Sequence, residues 1–162
     1  MNSSKKSILN SNFTYLAAFV LPVIMMMALY YTRGIFPLGN ECYLRSDMYH
    51  QYAPFFSELW HKIRNGESLT YSWNIGMGTN FTSLFAYYLA SPSNWFVALF
   101  PQKYTIEIMN AFIILKIAGS SLSLTYYLTK HNNNKHVIAA IFGMFYGMSG
   151  FIAAYSWNIM WL

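Results

Sequence analysis

Apolar residues fall into long runs that bracket a mixed middle stretch. The first run, Phe13 to Tyr31, holds nineteen residues without a charge. At about 1.5 Å per residue it nearly spans a hydrocarbon core of about 30 Å. Lys5 and Lys6 precede it and Arg33 follows. A cleaved signal peptide also starts with basic residues, but its apolar region of about 7–15 residues ends at a small-x-small site. This run ends in Tyr30-Tyr31-Thr32-Arg33. We therefore read a polar tail over 1–12 and a retained transmembrane helix over 13–32, with Pro22 as a candidate kink. Ile106 to Leu128 predicts a second transmembrane helix over 106–128, with Glu107 near its start and Lys116 near its middle. A third, over 137–162, is uncharged. The polar turn between them, 129–136, contains Lys130-His-Asn-Asn-Asn-Lys135-His136.

The stretch 33–105 is too long for a simple turn. Within it Met48, Tyr52, Phe55, Leu59 and Ile63 recur at three and four, the amphipathic helical period. This predicts a surface helix over about 47–65, with Asp47 as N-cap and Asn65-Gly66 as its stop. Pro54 either kinks that helix or begins it. Tyr71 to Asn80 has turn chemistry, with two glycines and two asparagines. Phe81 to Phe100 is uncharged and long enough to span, yet Ser91-Pro92-Ser93-Asn94 interrupts its centre. A break at membrane depth must be buried in protein or line a cavity. Two short helices, re-entrant or interfacial, fit 81–100 better than one span. The predicted fold class is an all-α membrane protein: three transmembrane helices plus a long outer loop with amphipathic and short helices.

Composition agrees. The chain is 56% hydrophobic and only 9% charged, where soluble domains carry about 25% charged residues. Its aromatics, 20% of the chain, favour the membrane–water boundary. The net charge of +5 is scattered, and no basic stripe points to nucleic acid. The single cysteine, Cys42, excludes an intramolecular disulfide. Short Lys-rich loops stay in the cytoplasm. The Lys5-Lys6 tail and the Lys130/Lys135 turn then share the cytoplasmic side, two crossings apart, and 33–105 lies outside. The last run stops at Trp161-Leu162 within apolar sequence, which suggests an N-terminal fragment of a longer protein. Three spans are then too few for a complete site, and the fragment alone is expected to be inactive.

The richest candidate chemistry is Arg45-Ser-Asp-Met-Tyr-His-Gln-Tyr52. Asp47, opening a surface helix, can accept a proton from an attacking hydroxyl or simply cap the helix. His50 lies on the same helical face. Two ligands are too few for a zinc site, so no metal site or other cofactor is assigned. Lys116 is costly inside a span and serves either a phosphate or a structural partner. Gly143-Met-Phe-Tyr-Gly147 has the small-xxx-small spacing of membrane helix packing.

The outer-loop residues, taken in order, resemble a known family. They are the Asp-x-x-x-Gln-Tyr-x-Pro-Phe start from Asp47 to Phe55, Gly66, and Tyr71-Ser-Trp-Asn with Gly76-x-Gly78-x-Asn80. Tyr87-Tyr-Leu-Ala-Ser-Pro92-x-Asn94, Leu99-Phe-Pro101 and Lys116 follow. This order resembles the YfhO family of bacterial multi-spanning membrane proteins, whose members are longer. The resemblance implies a GT-C-like membrane glycosyltransferase fold. It implies a polyprenyl-phosphate sugar donor and a cell-wall polymer acceptor such as a teichoic acid, with Asp47 as the catalytic acidic residue. Arg45 and Lys116 are the candidates to hold the donor phosphate. His50, Gln51, Tyr52 and Asn80 are candidate substrate contacts. Asp47 lacks the adjacent second acidic residue of many relatives in the wider class. The broken segment around Pro92 and the charge of Lys116 leave a second function class open, a non-catalytic transporter or flippase for a lipid-linked substrate.

Overall fold

The computed structural model describes residues 2–132 and 137–162, with side chains from residue 12 onward. The side chains of Lys5 and Lys6, and residues 133–136 of the expected polar turn, lie outside the described residues. In chain order the elements are α1 (Asn2–Thr32), a π-helical turn (Met48–Tyr52) and α2 (Ala53–Asn65). A hairpin of β1 (Tyr71–Ser72) and β2 (Thr79–Asn80) follows, then α3 (Phe81–Leu84) and a second π turn (Phe85–Leu89). Two 3-10 segments, Pro92–Leu99 and Gln102–Tyr104, lead into α4 (Thr105–His131), α5 (Ile138–Gly147), α6 (Gly150–Tyr155) and a last 3-10 turn at Ile159–Trp161. The protein is an all-α membrane protein. Three stretches are long and apolar enough to cross a bilayer: Asn12–Thr32, Gln102–His131 and Ile138–Tyr155.

The chain forms two compact units. The first contains α1, α4 from Ile113 onward, α5 and α6. Lipid supplies no hydrophobic drive between helices, so small residues and side-chain hydrogen bonds set their packing. Ser121 Oγ on α4 donates to Ala18 O on α1 at 2.7 Å, and the Tyr15 and Thr129 hydroxyls meet at 2.9 Å. Gly143 and Gly147 turn toward α4. A methyl group on Gly143 would collide with Thr125 Oγ1 and Ser121 O, and one on Gly147 would crowd Ile117 O. Phe13, Leu16, Ile24, Phe142 and Phe145 are exposed, as suits side chains facing lipid.

Residues 2–11, ahead of the candidate span that starts at Asn12, continue α1 as helix. One expectation in this unit is corrected, since the helix expected over 137–162 is interrupted. Met148 leaves the helical region and Ser149 is extended, at φ −63° and ψ 161°, before Gly150 restarts the helix as α6. Glycines at 147 and 150 weaken helix propagation there by about 1 kcal/mol each.

The second unit comprises Cys42–Phe112 and Trp157–Trp161. Its core is Met48, Tyr52, Phe56 and Leu59, all fully buried. The expected stripe named Phe55 and Ile63, which are only half-buried. A π turn takes in more residues than an α turn. The buried positions therefore step 48, 52, 56 before closing to 59. Pro54, near the start of α2, lacks an N–H and crowds the carbonyl one turn back. The widened turn absorbs that conflict. Both readings of Pro54 are thus realised, as the backbone departs from α geometry and α2 proper begins beside it.

Gly66 ends α2 in the left-handed region at φ 66°. Its N–H bonds Ile63 O at 3.4 Å and that of Glu67 bonds Lys62 O at 2.9 Å, a Schellman stop. The apolar stretch 81–100 is two short helical pieces parted at Ala90–Ser91. Asn94, 1% exposed, donates from Nδ2 to Leu89 O at 3.2 Å across that break. The break thus has an internal hydrogen-bond partner, as a buried backbone carbonyl requires.

Candidate functional site

The stretch from Arg45 to Tyr52 has two backbone irregularities side by side. Ser46 has a positive φ of 50°, uncommon for a residue with a Cβ. The π turn follows directly. Asp47 between them is itself helical, at φ −58° and ψ −30°, and its side chain makes no capping bond. The N–H groups of Met48, Tyr49 and His50 bond instead to the carbonyls of Arg45 and Ser46 at 3.1 Å. The capping role expected of Asp47 is therefore corrected. The tight backbone turn meets those orphan donors, leaving its half-buried carboxylate for other chemistry.

Tyr52 closes the turn. Its hydroxyl donates to Oδ1 of Asn158, and its ring stands edge-on to Tyr88 at 5.3 Å. Burial pushes its phenol well above the usual tyrosine range. A hydrogen bond from the Met160 backbone opposes this, while Tyr88, Tyr87 and Asp47 add to it. The phenol therefore stays protonated, and its proton is held by Asn158. Tyr52 thus fixes the turn that carries Asp47 rather than offering a free hydroxyl.

The other sequence candidates are placed as follows. Arg45 is exposed, His50 is exposed with its ring edge-on to Tyr49 at 5.4 Å, and Gln51 is half-buried. Asn80 caps α3, its Oδ1 accepting from Ser83 N at 3.2 Å. Arg45, Asp47, His50, Gln51, Tyr52 and Asn80 all belong to the second unit, whereas Lys116 lies half-buried on α4 in the first. Among the described residues no group of three or more His, Cys, Asp or Glu is placed to hold a metal ion.

A second constellation was not singled out in the sequence. Glu58 and Lys62 lie on the buried side of α2, only 6% and 3% exposed. Ser72 Oγ and Asn74 Nδ2 donate to the two Glu58 oxygens at 2.6 and 3.0 Å. Lys62 Nζ stands 3.6 Å from both Glu58 and Glu67. It donates to Ser68 O at 3.0 Å and Tyr71 O at 2.8 Å. Desolvation tends to raise the Glu58 pKa, but the Ser72 and Asn74 donors with the Lys62 and His61 charges outweigh it and hold it below the ordinary range. The signal in the sequence was an i,i+4 Glu/Lys pair, which usually marks a solvated face.

Beside this pair is a cavity of about 340 Å³ lined by Pro54, Ser57, Glu58, His61, Asn74, Ile75 and Gln102. Gln102 Nε2 donates to Ser57 Oγ across it at 2.7 Å.

A family model described as bacterial membrane protein YfhO matches residues 17–162. The chain belongs to the YfhO family. No curated protein and no solved structure matches it. In this YfhO chain the match takes in the Asp47 turn, the Glu58–Lys62 pair, the hairpin and Lys116. YfhO membership, with three candidate spans, makes it a bacterial membrane protein.

Proposed function

We propose that the protein is a membrane glycosyltransferase with Asp47 as its general base. It moves a sugar from a polyprenyl-phosphate donor to an extracellular cell-wall polymer such as a teichoic acid. In this reading an acceptor hydroxyl attacks the anomeric carbon of the donor and gives its proton to the Asp47 carboxylate. The bond from that carbon to the phosphate oxygen breaks, and polyprenyl phosphate leaves with the electron pair. Arg45, in the same unit as Asp47, is the cation assigned to the leaving phosphate, and His50 and Gln51 contact the sugar hydroxyls. The chain lies in the plasma membrane with its N-terminus cytoplasmic and residues 33–105 outside.

One observation carries the reading. Asp47 is held in the first turn of a helix without being used to cap it, between a left-handed Ser46 and a π turn. Strained backbone of this kind costs about 1–3 kcal/mol per residue and clusters at functional sites. Single π turns do the same. Asp47→Asn keeps the size and polarity of the side chain but removes the base. Sugar transfer by membranes carrying the complete protein is expected to fall about 10²–10⁴-fold, with membrane insertion unchanged. Transfer at the unmodified rate overturns the proposal.

A further inference from the structure

The cavity beside α2 holds none of the residues assigned above to sugar transfer. Glu58 is one of its lining residues. The Glu58 carboxylate is held ionised by Ser72, Asn74 and Lys62, and a carboxylate has about four lone-pair sites. Neighbouring donors do not use all of them. Gln102 uses one N–H on Ser57, which leaves its carbonyl oxygen and a second N–H. Asn74 uses one N–H on Glu58 and retains its carbonyl. His61 also lines the cavity, its Nε2 3.0 Å from Glu67. Pro54 and Ile75 complete the wall with apolar surface.

This wall pairs hydrogen-bonding groups of both senses with a small apolar patch. Ligand sites commonly have volumes of about 300–1,000 Å³ with a few convergent polar groups, and this one is at the small end. A sugar ring matches both features, since its hydroxyls donate and accept while its C–H face is apolar. The charged groups facing the cavity or bonded to its lining are Glu58, Lys62, Glu67 and His61. The Glu58 carboxylate is itself part of the lining, and that like charge disfavours a phosphate. An ammonium ligand would compete with Lys62, which already stands 3.6 Å from the Glu58 carboxylate as its counter-charge.

We propose that this cavity is a binding site for a neutral sugar ring. Assigning that ring to the acceptor polymer rests on the transferase reading; the binding itself does not.

The test titrates the complete protein in nanodiscs with glucose, N-acetylglucosamine, ethanolamine and inorganic phosphate, following binding by saturation-transfer NMR. One of the two sugars is expected to bind saturably in the millimolar range. Gln102→Ala and Asn74→Ala are each expected to weaken it at least about tenfold. Asp47→Asn is expected to leave it unchanged, so a failed Asp47 test and a failed binding test are separate results. Ile75→Trp fills the cavity while keeping every polar group and must abolish binding, which guards against a hairpin loosened in Asn74→Ala. No saturable sugar binding overturns the proposal. Binding by ethanolamine or phosphate alone, or unchanged sugar affinity in Ile75→Trp, does so as well.

Discussion

Lys62 shows how one side chain organises the second unit. Its nearest partners are two backbone carbonyls, at 3.0 and 2.8 Å, while both carboxylates stand at 3.6 Å. It is therefore first a staple between α2 and the start of the hairpin, and second a counter-charge. Lys62→Met would leave Glu58 buried without its cation. Removing one partner of such a pair costs about 3–5 kcal/mol, and the low end is expected because Ser72 and Asn74 still serve the carboxylate. Tryptophan fluorescence during unfolding in detergent would read this loss. The Glu58 pKa is lowered on folding, so its contribution is complete above the ordinary carboxylate range and is lost as pH falls through the folded value. Glu58→Gln is expected to be less stable at neutral pH and to lose part of the acid-side slope. A slope identical to that of the unmodified protein would remove Glu58 as its source.

At the scale of elements, backbone geometry at the two ends of the surface helix decides most of what the site can do. Its C-terminal stop is a glycine in the left-handed region, and a methyl group there would meet nothing within 4 Å. Gly66→Ala therefore tests backbone strain alone. It is expected to lower stability by about 1–2 kcal/mol, the cost of left-handed φ for an L-residue, with Gly66→Asn milder because asparagine tolerates that region. Thermal melts of the two variants would rank them, and equal melting temperatures for both and the parent would refute the strain argument. At the N-terminal end the π turn moves the buried stripe from Phe55 to Phe56 and leaves the Asp47 carboxylate out of the capping pattern. Periodicity analysis assumes a uniform 3.6-residue turn, so it could not anticipate that phase shift.

For the whole molecule, the testable property is orientation. Placing 33–105 outside puts Cys42 there as well. Cys42 is free and exposed, and it is the protein's single cysteine. A membrane-impermeant maleimide is expected to label it in intact cells, to about the extent seen after permeabilisation. Labelling only after permeabilisation would invert the proposed topology and remove Asp47 from the face where a cell-wall acceptor is met.

The membrane class and three candidate spans were legible from sequence because lipid imposes a length and a composition on whatever crosses it. The stop at Gly66 and the break before Pro92 were legible because Gly and Pro act on the backbone locally. The family was legible through the order of its motifs around Asp47. Tertiary structure decided the rest. Lys62 reads as a surface lysine until the hairpin folds back to offer the Ser68 and Tyr71 carbonyls. Tyr52 reads as a substrate contact until Asn158, more than a hundred residues on, accepts the hydrogen bond from its hydroxyl. Asp47 reads as a cap until the Arg45 and Ser46 carbonyls meet the donors it would have served. In each case the deciding partner is set by packing or by a local backbone departure, which composition and periodicity do not encode.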